Sequence, residues 1–118
     1  MFDDGIYEFA FKARSETAGN GDGLALLRAG TILGSDRGGA LFTGRYEVDP
    51  VSAKATVHVR MQVPPEGELV TGFSAGPEGA LIDIVGRFDE VTPVSTSVIE
   101  VAGEPVELKL TYLTPPPN

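Results

Sequence analysis

The sequence predicts a small all-β protein, an eight-stranded antiparallel β-barrel. Hydrophobic and polar residues alternate along several short segments, which is the period of a half-buried strand. Glycine (15 residues) and proline (9 residues) are frequent and separate these segments, as is typical of tight turns between short strands. About eight such strands fit a barrel or a sandwich, and a barrel removes the unpaired edges of an open sheet.

The first predicted strand, over residues 4–12, has the strongest aromatic face. Tyr7, Phe9 and Phe11 fall on one side of it, opposite Glu8. Three aromatic side chains on one face need a large apolar surface to pack against. We therefore expect this strand to be one wall of the barrel and to close the barrel by pairing with the last strand.

The remaining strands follow in order, and the alternation is clearest over residues 54–62. Gly44, inside a predicted strand, indicates a bend or a close approach of two backbones. The glycine-rich segment 19–23 is predicted to be a turn, because it lacks the spaced oxygen ligands of a calcium loop. After the first strand, we predict seven more over residues 24–28, 31–35, 40–48, 54–62, 69–74, 80–89 and 106–112, and residues 98–101 can add a short strand. Together they form one domain at 1–113, with a proline-rich extended tail at 114–118.

Composition restricts the class of partner and the compartment. The chain of 118 residues has a formal net charge of -8, so it repels nucleic-acid phosphates and anionic membranes, and we expect it to bind neither. It contains no cysteine, which removes disulfides and thiolate ligands. The first residues lack a basic region, and no apolar run is long enough to span a membrane, so we predict a cytoplasmic protein.

The chemistry-bearing residues do not form a recognisable active site. His58 is the only histidine, and it falls among the polar positions of its strand. The carboxylates fall mostly in turns or on polar faces, whereas acid–base catalysis needs two carboxyl groups in one cleft. A metal site needs several converging ligands. We therefore predict no catalytic residues, no metal, no cofactor and no enzymatic activity.

The apolar positions of the predicted strands form a continuous interior. One interpretation is a core packed by its own side chains, as in many small barrels. The other is a pocket for a hydrophobic small molecule or lipid, with the hydroxyls of Tyr7 and Tyr46 orienting its polar end. The residues assigned to this interior are Tyr7, Phe9, Phe11, Phe42, Tyr46, Val57, Val59, Met61, Ile82, Ile84, Phe88, Leu108 and Leu110.

The segment between residues 24 and 33 is apolar on both faces of its predicted strands. One face can enter the barrel, and the other then needs cover from a neighbouring segment or from a second copy of the chain. We expect a homodimer whose interface is formed here, by Leu24, Leu26, Leu27, Ile32 and Leu33.

A series of short motifs between residues 4 and 90 resembles, in content and order, the GrlR-like family of negative regulators of type III secretion. Each motif alone is common in β-proteins, and their order carries the resemblance. The motifs are Asp4-Gly5-Ile6-Tyr7, Gly21-Asp22-Gly23-Leu24, Gly30-Thr31-Ile32-Leu33-Gly34-Ser35-Asp36, Phe42-Thr43-Gly44-Arg45-Tyr46, Val57-His58-Val59 and Ile82-Asp83-Ile84-Val85-Gly86-Arg87-Phe88.

The resemblance implies a lipocalin-like β-barrel and a homodimer that regulates by binding a protein, a transcriptional activator. In the family, a run of four acidic residues in a surface loop is implicated in capturing that activator. The corresponding loop here is residues 47–50, whose acidic residues are Glu47 and Asp49. The alternative function is to bind or sense a hydrophobic small molecule inside the barrel.

Overall fold

The computed structural model of the chain describes residues 4–13, 20–52, 54–65, 67, 76–88, 94–101 and 104–117. No helix that could cross a membrane is present in these ranges. The described residues form eight strands: β1 (Gly5–Ala13), β2 (Asn20–Arg28), β3 (Thr31–Asp36), β4 (Leu41–Val48), β5 (Ala55–Val63), β6 (Ala80–Phe88), β7 (Val94–Val101) and β8 (Glu104–Thr114).

The eight strands form a single antiparallel sheet in the order β6-β5-β4-β3-β2-β1-β8-β7. The predicted pairing of the first strand with the last is confirmed, since β1 pairs with β8. The sheet ends at β6 and β7, which contact each other without a ladder among the described residues. The result is a nearly closed barrel, consistent with a lipocalin-like fold, whose open line lies between β6 and β7.

The inward faces predicted for β1, β4, β5, β6 and β8 are confirmed. Tyr7 and Phe88 are each only 1% exposed, and polar positions such as Glu8 point outward. Every residue assigned to the interior from the sequence lies in, or packs against, one of two adjoining apolar clusters. Burying this continuous surface is the main driving force for the fold.

β2 begins at Asn20, so residues 20–23 are strand and the predicted turn there is wrong. The cause is a cross-strand contact with β1, in which Phe9 lies opposite Gly23 and Phe11 opposite Gly21. A Cβ atom added to Gly23 would lie 2.5 Å from Cζ of Phe9. The glycines therefore leave the room that the two aromatic rings occupy, and ring packing offsets the poor strand propensity of glycine.

Gly44 marks a close approach of two backbones, as the sequence predicts. It lies opposite Val59 on β5, and a Cβ atom added to it would be 2.8 Å from the Cα atom of Val59 and would overlap the carbonyl oxygen of His58. Glycine is therefore required here by space.

Several strand boundaries differ from the prediction, most clearly in β7 and β8, and one predicted strand cannot be placed. β7 starts at Val94 rather than residue 98, because its inward positions include Ser95, which is only 7% exposed. Because Ser95 is polar although it is buried, the start of β7 does not show the apolar–polar alternation by which a strand is predicted. Thr114 belongs to β8 rather than to the tail, and the predicted strand 69–74 lies outside the described residues.

The β2–β3 hairpin has a strained two-residue turn. Arg28 pairs with Thr31, and the residues between them, Ala29 and Gly30, have φ angles of 51° and 81°. Positive φ at both central positions fits a type I′ turn, which suits the twist of a hairpin. Glycine adopts this conformation without a penalty, whereas alanine does not.

Replacing Ala29 with asparagine should stabilise the fold by about 0.5 to 1 kcal/mol, because asparagine tolerates positive φ and Asn-Gly favours the type I′ turn. The urea midpoint of unfolding measures the change. Ala29→Val is the matched control and should lower the midpoint, because a β-branched side chain at positive φ is more strained. A lower midpoint for Ala29→Asn would contradict the strain assigned to this turn.

Candidate functional site

The barrel encloses an apolar cavity of about 100 Å³. Its walls come from strands on all sides of the barrel, and the lining consists of aliphatic and aromatic residues and Gly86. Phe9 is central to this wall, with its ring 5.1 Å from that of Phe42 in an edge-on contact and 5.9 Å from that of Phe11 in a stacked one. These contacts give the cavity one rigid aromatic side.

The volume of the cavity fits neither interpretation of the interior fully, a core packed by its own side chains or a pocket for a lipid. Pockets for drug-sized ligands are usually about 300 Å³ or larger, and this cavity is about 100 Å³. Dry apolar cavities of about 150 Å³ are known to bind benzene or xenon. In this closed form the barrel therefore has room for a small apolar molecule, but not for a whole lipid.

The two tyrosines do not line the cavity, so the expectation that their hydroxyls orient a ligand there is wrong. The Tyr46 hydroxyl donates a hydrogen bond to Oδ1 of Asp4, at 2.7 Å. Tyr7 makes an edge-on ring contact with Tyr112, with the ring centroids 5.4 Å apart. The cavity is left without a polar group from either residue, which selects against ligands that need hydrogen bonds.

The contact between Tyr46 and Asp4 links β4 to the start of β1. Oδ1 of Asp4 also accepts the backbone N–H of Ala29, at 3.2 Å, so one carboxylate connects the start of β1 with β4 and with the β2–β3 turn. Burial raises the pKa of Tyr46 above its ordinary value, and its hydrogen bond to the Asp4 carboxylate raises it further. The contact is therefore strongest while the tyrosine is protonated.

The outer face of β1–β3 carries an apolar row. Ile6 lies opposite Leu26, and Leu26 lies opposite Leu33 on the next strand. Leu33 and the neighbouring Leu24 are each 54% exposed. Because adjacent strands are about 4.8 Å apart, these side chains form one continuous surface.

Two of the residues assigned to the dimer interface lie inside the barrel instead. Leu27 is only 2% exposed and Ile32 only 8%, and both belong to the interior apolar cluster. The reason is strand alternation, which turns them inward while Leu24, Leu26 and Leu33 turn outward. The assignment of Leu27 and Ile32 to an interface is therefore corrected.

The loop after β4 presents one apolar side chain beside two carboxylates. Oδ1 of Asp49 accepts the backbone N–H of Val51, at 2.8 Å, and that of Ser52, at 3.3 Å. These hydrogen bonds lower the pKa of Asp49 below its usual 3.8. The turn they form holds Val51 at the surface, where it is 95% exposed, next to the exposed Glu47.

Ionisable groups elsewhere in the described part of the chain lie on the outside. His58 is exposed as predicted and lies opposite Arg45 on β4. Arg60 pairs with Asp83 at 3.2 Å on the solvent-facing side. Within the described ranges, no three histidine or acidic side chains converge in a way that could hold a metal ion.

One sequence pattern associated with catalysis covers residues 72–76, of which the structure describes only Gly76. The stretch Gly72-Phe73-Ser74-Ala75-Gly76 matches Gly-x-Ser-x-Gly, the nucleophile turn of α/β-hydrolases. In that fold the histidine follows the serine in the chain. The only histidine here, His58, precedes Ser74 and is exposed on the outer face of β5. The order of serine and histidine in this chain therefore differs from that of an α/β-hydrolase.

No protein-family model matches the chain, and no curated protein matches it.

Tyr46 should make stability depend on alkaline pH. Its folded-state pKa is raised, so its contribution is fully present below 10.0, the ordinary value, and is lost as pH rises through the folded-state pKa. Tyr46→Phe should reduce stability at pH 7 by about 1 to 2 kcal/mol and should flatten this alkaline dependence.

Urea unfolding of the wild type and Tyr46→Phe between pH 7 and pH 11 measures both effects. Tyr112→Phe, on β8, which does not pair with β4, is the matched control and should keep the alkaline dependence of the wild type. Parallel pH curves for the wild type and Tyr46→Phe would contradict the assignment.

Proposed function

We propose that this protein is a cytoplasmic, non-enzymatic regulator that acts as a homodimer by binding a protein partner, in the manner of the GrlR-like family. The observation that carries the proposal is the apolar row of Ile6, Leu26 and Leu33 on the outside of the barrel. A contiguous apolar surface of this kind is typical of a protein interface.

A second copy of the chain is a suitable cover for this row. A symmetric dimer places the same patch of both subunits in contact, so a self-complementary apolar surface is enough to form it. Leu24 and Leu33, each 54% exposed, would then pack against their counterparts. Ile6, Leu26 and Leu33 form the apolar centre of the surface, and the exposed Glu8 lies opposite Leu24 at its margin, an arrangement of apolar core and polar rim that is typical of an interface.

The loop of Glu47, Asp49 and Val51 is the proposed site for the regulatory partner. It combines two carboxylates with the apolar Val51 at its tip. An acidic loop attracts a basic surface, and the net charge of -8 adds to the attraction at long range. A transcriptional activator has such a surface, because it neutralises DNA phosphates.

The location of ionisable groups supports a binding role rather than catalysis. The cavity is lined by apolar residues and glycine, and a catalytic cleft needs titratable groups that converge on a substrate. The regulator proposal requires no such cleft.

Leu33→Asp should weaken the dimer by at least about tenfold in Kd, because it places a charge in an apolar interface. Sedimentation equilibrium at micromolar concentrations measures the association. Thr96→Asp is the matched control, at an exposed position of β7 away from the row, and should leave the Kd unchanged. A wild type that is monomeric at these concentrations would overturn the dimer.

The same preparations test the regulatory role. A transcriptional activator encoded beside the gene should bind the immobilised wild type and bind Glu47→Lys more weakly, since the loop loses a carboxylate and gains a cation. Glu78→Lys, in another exposed turn, is the control for net charge. Equal loss in both variants would show that overall charge, and not this loop, controls binding.

The cavity favours a second candidate function, binding of a small apolar molecule. Its volume of about 100 Å³ and its apolar lining suit a ligand about the size of benzene or xenon. Xenon or benzene should shift the methyl resonances of Val59 and Leu108 in ¹H–¹³C spectra, and those of the exposed Leu33 should not move. Unchanged spectra at saturating ligand would remove this candidate.

A further inference from the structure

The outer face of β4–β6 carries a cluster of exposed positive side chains. Arg45 on β4 lies directly opposite His58 on β5. Arg60 is two positions further along β5, and Arg87 on β6 lies opposite Thr56, which places it diagonal to His58. Side chains directly opposite each other are about 5 Å apart, and diagonal ones about 7 to 8 Å. The three guanidinium groups can therefore reach one shared region of this face, around His58.

The cluster reverses the charge of the protein locally. The chain has 9 lysines and arginines against 17 aspartates and glutamates, yet three of the nine meet here. Among the described residues, Arg60 pairs with Asp83, whereas the guanidinium groups of Arg45 and Arg87 take part in no ion pair or side-chain hydrogen bond. These two groups are therefore available to an anion, and the planar fork of each fits a carboxylate.

The arginine cluster adjoins the loop proposed to bind the regulatory partner. Glu47 lies two positions from Arg45 on the outward side of β4, and it is opposite Thr56, whose other neighbour is Arg87. Thr56 is small and half-buried, so it leaves the surface open between the acidic loop and the arginines. One surface therefore has an acidic part and a basic part within two strand spacings, about 10 Å.

We propose that the regulatory partner binds across both parts of this surface, through a segment that carries acidic residues beside its basic ones. The basic residues of the segment face Glu47 and Asp49, and its carboxylates pair with Arg45 and Arg87. This inference rests on the proposed function, that the loop binds a protein, and it adds the chemistry by which that protein is recognised.

A surface with charges of both signs is more selective than an acidic loop alone. A basic protein without carboxylates would bring its cations against Arg45 and Arg87, and like charges across an interface suppress the wrong partner. A nucleic acid would meet the acidic loop and the net charge of -8, both of which repel its phosphates. A protein segment with charges of both signs matches each part, and this match is the reason for the assignment.

Three synthetic peptides of equal length test the assignment. The mixed peptide joins a block of lysines to a block of glutamates through a glycine–serine linker and has no net charge. The lysine peptide has two lysine blocks, and the glutamate peptide has two glutamate blocks. All three carry the same neutral fluorophore. Fluorescence anisotropy at about 10 mM ionic strength measures their binding, because exposed charge pairs are weakly screened there.

Arg45→Glu/Arg87→Glu reverses the two unpaired charges of the cluster. The mixed peptide should bind this variant at least about tenfold more weakly than the wild type, because its glutamates then meet carboxylates. The lysine peptide should bind the same variant more tightly. Lys12→Glu/Lys109→Glu is the matched control, since it makes the same change in net charge at exposed positions of β1 and β8, which do not pair with β4–β6. It should leave the affinity for the mixed peptide unchanged.

Four outcomes would overturn the proposal. The first is an equal loss of mixed-peptide binding in the arginine variant and the control, and the second is wild-type binding of the lysine peptide as tight as that of the mixed one. The third is a DNA oligonucleotide that binds the wild type and not the arginine variant, which would assign the arginines to phosphates. The fourth is glutamate-peptide binding that appears only in Asp89→Asn/Glu90→Gln, which would assign the arginines to carboxylates of the chain itself.

Glu47→Lys separates the failure of this inference from the failure of the proposed function. If Glu47→Lys weakens binding of the mixed peptide and Arg45→Glu/Arg87→Glu does not, the loop binds alone and only the inference fails. If the arginine variant weakens binding and Glu47→Lys does not, the role of the loop in the proposed function fails and the cluster remains a site for carboxylates. Loss of binding in both variants supports a surface that uses both signs.

Discussion

The barrel depends on the packing of the β1 aromatic face over the glycines of β2. Phe9 and Phe11 lie opposite Gly23 and Gly21, and their rings occupy the volume that side chains at those positions would fill. This contact does two things at once. It fixes the register between β1 and β2, and it directs the rings inward to form the rigid wall of the cavity. A glycine segment that would otherwise be a turn becomes strand because an aromatic neighbour covers it.

Much of the fold could be predicted because strand alternation is local information. The interior residues and the outward direction of His58 follow from counting every second residue along a segment. The failures have non-local causes. Residues 20–23 are strand because of rings on another strand, and Ser95 conceals the start of β7 because a small polar residue is buried there. Neither effect is visible in a window of the sequence read alone.

The candidate sites also divide into features that local strand alternation predicts and features that depend on distant parts of the chain. The segment between residues 24 and 33 is apolar on both faces of its strands, which indicated an exposed apolar surface. Which residues form that surface depends on the direction in which each side chain points, and this direction separates the outward Leu33 from the inward Ile32. The role of Tyr46 could not be predicted, because its partner Asp4 is distant in the sequence. The open line between β6 and β7 could not be predicted either, since the two edges of the sheet are known only once every pairing is known.

The pairing of β1 with β8 has a consequence for folding and for engineering. It is the one described pairing between strands that are not consecutive in the chain, so it closes the longest loop and carries the largest entropic cost of assembly. It also places Ile6 next to Thr114, so a short linker can join the start of β1 to the end of β8. A circular permutant opened between β6 and β7 would keep every described ladder, and each ladder would then join strands that are consecutive in the new chain. Its new ends would lie between β6 and β7, where the described residues form no ladder.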